Sequence, residues 1–582
     1  MKRLNTRRNI NKGGGPPEEK IKSFLKNYES KRYDEAQKIA IWLTKKFPKH
    51  AFGWKALSAL FQQIGKFPEA LSANRKVVSL LPQDSDAHYA SGNILFQLGR
   101  LEEAETSCKR AIALKPDFAE AHYNLGNILS QLGELKEAEA SYTQSITIKP
   151  CFAEAHYNLS NILSQLGRLE EAECLLRKTI TIMPDLAEAH LNLGTTLRNI
   201  GRYSEAATSF KRAIECKSDM PSAHLNLGTL NKELGNWREA EANIKQSIIL
   251  SPEVALAHNN LGAVLEKLEK HKEAEASYRQ AIELNADYAD AQYNLGCLLQ
   301  KAQRIEEAIS CFNSVLKIDT SDNLGASLRL AILGEKSIPA TTPRNFLKKF
   351  YKERAQVWDL SSNQYKGHSM IQETIQQTYC NQAKLKILDL GCGTGSLAEF
   401  LSSYSNMLHG VDLSSDMISK ANDTGFYDSL FQKDIEQFLE ETTCRYDMII
   451  AAAVLIHFFD LELIFASVAN KLNAGGKFIF SIFEETEKDK DLNSLLMYSH
   501  NSAYIERLAI SLDLKICHQT RDIHEYADGE PISAVAYALE KKSKATQKCR
   551  KPISARLRKG EDGTNGKERK SLGHRARLFL GL

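Results

Sequence analysis

At 582 residues, with 43% apolar and 25% charged side chains, the chain is too long for one ordinary core and too apolar for a disordered polymer. Its formal charge of +4 hides an asymmetry: Lys541–Leu582 holds 14 Lys and Arg against 3 Asp and Glu, a net +11, so the other 540 residues carry −7. The 11 cysteines are scattered with no C-x-x-C pair, so no four-ligand zinc spacing and no disulfide framework is visible, and they read as reduced thiols in the cytoplasm.

In chain order, residues 1–16 read as a basic flexible segment with no apolar core behind it, so not as a secretory signal. Residues 17–50 read as a degenerate helical repeat. From Ala51 a 34-residue period runs without slipping: units start at Ala51, Ser85, Ala119, Ala153, Ala187, Pro221, Ala255 and Ala289, and the last ends at Asp322. Such a period predicts stacked helical pairs, because one pair cannot bury its apolar face alone. Position 20 of every unit is Ala, from Ala70 to Ala308, where only a small side chain lets two helices close up. Position 7 is mostly Leu and position 8 mostly Gly, as in Leu125 and Gly126. Pro at position 32, as in Pro82 and Pro116, ends the second helix. These residues resemble tetratricopeptide repeats throughout 51–322, which implies an all-α superhelical solenoid.

Two columns of the repeat raise the question of binding. His88, His122, His156, His190, His224 and His258 occupy position 4, on the apolar face, where the first unit has Trp54. A flat packed ring explains them better than a metal ligand, and no metal is expected. Asn124, Asn158, Asn192, Asn226, Asn260 and Asn294 occupy position 6, on a stripe offset from the core, and position 9 adds Asn93, Asn127 and Asn161. Amides both donate and accept, so such a row can hold an extended peptide. The arrangement is similar to the asparagine ladder of O-linked N-acetylglucosamine transferases, which implies a protein or peptide partner in the groove. Acidic residues at position 2 (Asp86, Glu120, Glu154, Glu188, Asp290) suggest a basic one. A solvated face copied by duplication remains equally open.

Residues 323–341 read as a capping helix near Leu324–Leu333 and a linker, SIPATTP. Next, "LKILDLGCGTGSLAEFL" (Leu385–Leu401) reads as strand, glycine turn and helix, the entry to a parallel α/β sheet. Asp412 ends the next strand, 21 residues after Gly391, where a carboxylate can accept both hydroxyls of a ribose. Asp434 ends a third strand. YDMIIAAAVLIHFFD, GGKFIFSIFEE, LKICHQT and SAVAYALEK complete a Rossmann-like, seven-stranded domain over 342–540. No run is long enough to span a membrane: the longest apolar stretch, Met448–Phe459, falls far short of about 20 residues.

This set resembles class I S-adenosylmethionine-dependent methyltransferases, in particular bacterial ones that carry tetratricopeptide repeats on the same chain. The resemblance implies that Asp389 and the turn Gly391, Cys392, Gly393 and Gly395 hold the methionine part of the cofactor. It implies Asp412 on the ribose, Met417 against the adenine, Asp434 on the adenine amino group and the Ile435 N–H at the ring. His457 is the first candidate for an acid–base residue, with Asp460, Tyr498, His500 and Tyr504 behind it. "FYKERAQVWD" (Phe350–Asp359) is similar to a lid helix, with Arg354 where a Tyr usually stands. The tail 541–582 is expected to be disordered. Three readings follow: a methyltransferase with a recruiting array, a scaffold whose transferase domain is inactive, and a nucleic-acid methyltransferase guided by the tail. Intact glycines argue against the second. The −7 body and the lack of an N-P-P-Y-like motif argue against the third.

Overall fold

The computed structural model describes residues 15–355, 366–379, 384–485, 487–527 and 530–542. Most of the basic N-terminal segment, the tail beyond Lys542 and the Trp358–Asp359 pair lie outside these residues. The chain divides into two compact units between Leu298 and Leu299, inside the last repeat.

The first unit is a run of helical pairs in register with the 34-residue period. Glu18–Glu29 and Tyr33–Lys46 make the first pair, Ala51–Gln63 and Phe67–Leu80 the next, and the pattern runs on to Ala289–Lys301. The alanines at position 20, from Ala70 to Ala308, are all fully buried. The glycines at position 8 have an equally direct cause. A Cβ on Gly126, Gly194 or Gly262 would lie 2.6–2.7 Å from the ring of Tyr142, Phe210 or Tyr278, the residue 16 positions later on the second helix. The two helices touch through that ring, and the unit with Ser160 at position 8 has the smaller Leu176 opposite. Gly126→Val is therefore expected to destabilise the array by about 1–3 kcal/mol, read as a lowered denaturant midpoint at unchanged slope.

The position-4 rings do more than pack. Trp54 donates its indole N–H to the carbonyl of Pro48 at 2.9 Å. His88, His122, His156, His190 and His258 place Nε2 2.8–3.1 Å from the carbonyls of Pro82, Pro116, Pro150, Pro184 and Pro252. His224 does the same to Ser218. A carbonyl only accepts, so each histidine is the Nε2–H tautomer. Trp and His share the position because each offers a flat ring with one N–H at its edge.

In the second unit, helix Ala326–Ile332 stands where the cap was expected. The sheet contains β1 (Leu385–Leu390), β2 (Ser405–Asp412), β3 (Ser429–Gln432), β4 (Tyr446–Ala451), β5 (Leu472–Glu484), β6 (Lys490–Leu492), β7 (Tyr498–His500), β8 (Leu514–Ala527) and β9 (Glu530–Lys541). The main path is β3-β2-β1-β4-β5, all parallel, continued by β9 and β8 antiparallel. The seven expected strands are all present. Two more, β6 and β7, form a short antiparallel pair beside the end of β5; three residues each is too short for a legible alternation. Successive residues of the central strands feed opposite layers. Leu388, Ile449 and Phe478 pack with helices Glu462–Lys471 and Ser502–Ser511, while Ile387, Met448 and Ile479 pack with helix Gly367–Thr378.

The expected linker is pinned rather than free. The Thr342 N–H donates to the His457 carbonyl at 2.9 Å and the Phe459 N–H to Ala340 at 2.8 Å. The Tyr498 hydroxyl donates to Pro339 at 2.9 Å. This clip sets the following helix, Arg344–Ala355, beside the turn after β4.

Candidate functional site

The carboxyl ends of β1, β2 and β4 open onto a cavity of about 120 Å³, at the edge where open α/β sheets take their ligands. The turn after β1 carries three left-handed glycines, Gly391 (φ 68°), Gly393 (φ 55°) and Gly395 (φ 83°). The Gly391 and Cys392 N–H groups donate to the Val411 carbonyl at 2.7 and 3.0 Å, tying the turn to β2. Gly391 also allows a close approach: a Cβ there would lie 2.2 Å from Val454.

The cavity brings together Gly391, Cys392, Gly393, Asp412, Met417, Asp434, Ile435 and His457. It does not bring in Asp389 or Gly395. Asp389, 2% exposed, lies beneath the turn and accepts from the Tyr427 hydroxyl at 2.8 Å. Burial, with Asp412 nearby, pushes its carboxyl up to about 7. Asp412 accepts from the Gly393 N–H at 3.0 Å and the Ser414 N–H at 2.9 Å, and burial raises its carboxyl too. Asp434 caps helix Ile435–Glu441 through the Glu436 and Gln437 N–H groups. Its second oxygen meets Arg344 Nε at 3.1 Å.

His457 is 7% exposed, and burial lowers its imidazole to about 4. Its Nε2 lies 2.7 Å from the Tyr351 hydroxyl. The other acid–base candidates go elsewhere. Tyr504 donates to Asp460 at 3.2 Å and stacks on His500, ring centres 5.9 Å apart, and none of these, nor Tyr498, is in the cavity wall. Sequence reasoning missed Leu347, Tyr351, His368, Val454 and Phe458, which line the cavity. Leu347 and Tyr351 share one face of helix Arg344–Ala355 by their spacing, the one signal that pointed to them. The side chain of Arg354 lies outside the described residues.

In the repeat unit the asparagine row first ties repeats together. Asn124 donates its amide to Asn93, Asn158 to Asn127 at 2.8 Å, and Asn192 to Asn161 at 2.8 Å. Asn226 and Asn260 reach Thr195 and Thr229 at 3.4 and 3.2 Å, and Asn294 reaches Asn259 at 3.0 Å. Each position-6 amide thus bonds to the preceding repeat, and Lys232 occupies the carbonyl of Asn260. Two of the acidic residues face lysines, Glu120 with Lys149 at 3.7 Å and Glu188 with Lys217 at 3.8 Å. A cavity of about 440 Å³ adjoins the first rung, lined by Phe67, Tyr89, Phe96, Asn93, Asn124 and Asn127 among others, with no ionised side chain in its wall.

Family comparison assigns tetratricopeptide repeats to residues 92–133, 119–150, 152–219, 219–287 and 253–321, and a methyltransferase domain to residues 381–543. Over 147 residues the chain is 31% identical to the malonyl-(acyl-carrier protein) O-methyltransferase of Bacillus anthracis, covering 24% of this chain and 53% of that one. Over 110 residues it is 30% identical to the mitochondrial ubiquinone biosynthesis O-methyltransferase of Homo sapiens, covering 18% and 30%. The chain therefore spans about half the length, or less, of these two relatives. Among solved structures, YrrB, titled a TPR protein with an unusual peptide-binding site, matches with TM-score 0.29 and 23% identity over 32% of this chain and 95% of that one. MamA matches with TM-score 0.27 and 26% identity over 28% and 95%. No described helix is long and apolar enough to cross a membrane.

Proposed function

From a chain that joins tetratricopeptide repeats to a methyltransferase domain, we propose an enzyme that methylates an oxygen acceptor with S-adenosylmethionine, its array engaging a protein or peptide. The observation that carries this is the pairing of a glycine turn with two buried carboxyls, Asp389 and Asp412, both pushed above their ordinary range. Such a donor set fits a cationic ligand, which would relieve the cost of ionising them. When bound, the cofactor supplies an activated methyl group on a sulfonium.

The chain's own residues then bind and orient. The Gly391–Gly395 turn takes the amino-acid end, with Asp389 beneath it. Asp412 turns its remaining lone pairs to the ribose hydroxyls. Met417 and Ile435 close on the base, and Asp434 accepts from its amino group, sharing its carboxylate with Arg344. Orientation and exclusion of water make up most of the catalysis, since the methyl donor is already activated. We take 51–322 as eight repeats and 342–540 as the transferase domain. The carbonyls of Asn124, Asn158, Asn192, Asn226 and Asn294, rather than the amide donors of the row, would face a partner. The cytoplasm is the setting we propose, without nucleic acid as substrate.

The test is calorimetric titration of the full chain with the cofactor, followed by transfer of labelled methyl into an extract. Asp412→Ala is expected to weaken cofactor affinity by about tenfold or more, or 1.4 kcal/mol. An unchanged affinity would overturn the ribose assignment. No binding by the wild-type chain would leave the scaffold reading.

A further inference from the structure

The cavity beside the first asparagine rung has a filled counterpart one repeat further on. In the unit that starts at Ala119, Tyr142 packs on Gly126 and donates its hydroxyl to Asn127 Oδ1 at 2.7 Å. The same oxygen accepts the amide of Asn158, from the next repeat, at 2.8 Å. Both of its lone pairs are then in use. The unit before has the same glycine and asparagine, Gly92 and Asn93, and Asn93 Oδ1 accepts the amide of Asn124 in the same way. Cys108, however, stands where the next unit has Tyr142. It is the smallest residue in that column, which elsewhere holds Asn, Leu, Ile, Phe or Tyr. It supplies neither ring nor hydroxyl, and the second lone pair of Asn93 has no donor among the described residues.

The cavity opens against these two residues, Gly92 and Asn93. Its volume of about 440 Å³ lies within the span of about 300–1,000 Å³ common to ligand sites. Phe67 and Phe96 give it aromatic faces, and Gln97, Asn124 and Asn127 give it a carboxamide edge. An ion placed there would give up its hydration without meeting a countercharge, so the wall selects a neutral group. A flat ring suits the two phenylalanines, and a hydroxyl on that ring completes Asn93.

Resting on the reading that the array engages a peptide, we propose that this cavity takes the side chain of an unmodified tyrosine from a peptide in the groove. The ring packs against Phe67 and Phe96. The hydroxyl donates to Asn93 Oδ1, as Tyr142 does to Asn127 within the chain. Phosphorylation of that tyrosine would block entry, because nothing in the wall offsets its charge.

The test is saturation-transfer NMR on the full chain with the peptide acetyl-Gly-Gly-Tyr-Gly-Gly-amide and its phenylalanine and phosphotyrosine counterparts. Saturation of the tyrosine ring protons is expected. The phenylalanine peptide is expected to bind about fivefold more weakly for want of the hydrogen bond, and the phosphotyrosine peptide at least about tenfold more weakly. Cys108→Tyr gives the unit the ring its neighbour already has. It is expected to fill the cavity from inside, cutting tyrosine binding about tenfold or more while the melting temperature holds or rises. Phe96→Ser installs the residue that Ser130 and Ser164 supply at the same position of later units, and keeps the site testable if Cys108→Tyr does not fold. It is expected to weaken binding about fivefold. Undiminished binding by a folded Cys108→Tyr or by Phe96→Ser overturns the site. Equal binding of the phenylalanine or the phosphotyrosine peptide overturns the phenol assignment. A pool of peptides built from Ser, Thr, Asn and Leu separates this proposal from the reading beneath it. If the pool is saturated and the tyrosine peptide is not, this proposal falls alone; if no peptide is saturated, the peptide-engaging array falls with it.

Discussion

Gly391→Ala is expected to cost the transferase domain about 3 kcal/mol or more, summing left-handed strain and overpacking. Gly391 sits at φ 68°, which an L side chain adopts only with strain. The added Cβ would also lie 2.2 Å from Val454. Val454 cannot easily retreat. It follows Ala453, itself left-handed at φ 53°, whose N–H is held by Ser481 at 3.0 Å. Two tight turns are jammed together at the mouth of the cavity. Val454→Ala in the same chain removes the overlap and is expected to restore all but the backbone strain, about 1 kcal/mol. Gly393→Ala gives an internal contrast. It has positive φ but no atom within 4 Å of a Cβ, so its cost is the strain alone. Thermal unfolding of the three variants checks this; a Gly391→Ala loss that Val454→Ala does not relieve would mean the contact is not its source.

The cofactor-free protein is expected to lose stability as pH rises from about 4 to about 7. Asp389 causes this, with its carboxyl pushed from 3.8 to about 7 by burial. Below pH 4 the group is protonated in both the folded and the unfolded chain and contributes no slope. Between 4 and 7 the unfolded chain ionises first, so it gains relative to the folded one. Above 7 both are ionised and the loss is complete, on the order of 4 kcal/mol. Asp412 is shifted in the same direction and adds to the slope. Asp389→Asn, which can still accept from Tyr427, is expected to flatten the melting curve against pH. A cationic ligand reverses the sense. It favours the ionised carboxyls, so affinity rises with pH across the same window and binding releases protons. A wild-type melting temperature independent of pH would contradict the assignment.

Much of the architecture was legible in the residues because it is local or repeated. The 34-residue period, the alanines at position 20 and the glycines at position 8 recur with each unit, so each copy checks the others. The strands β1 to β5, β8 and β9 announced themselves as apolar runs between turns. The glycine turn and the aspartates ending β2 and β3 were readable because a strand end and the residues after it are neighbours in sequence.

What tertiary structure alone decided are meetings between distant segments. Tyr351 reaches His457 across 106 residues, and Tyr427 reaches Asp389 across 38. No periodicity carries such a pairing, because the geometry that closes it belongs to the sheet and not to either segment. The same holds for Arg344 on Asp434 and for the clip of residues 339–342 on the turn after β4. Even the repeat shows this division. The positions of its histidines and asparagines could be counted from the sequence, but their partners lie across a turn or on the preceding repeat. Only stacking decides that the amide row spends its donors inside the array. Local propensity and periodicity write the elements, whereas hydrogen bonds between far-separated groups exist only once packing has closed the loops between them.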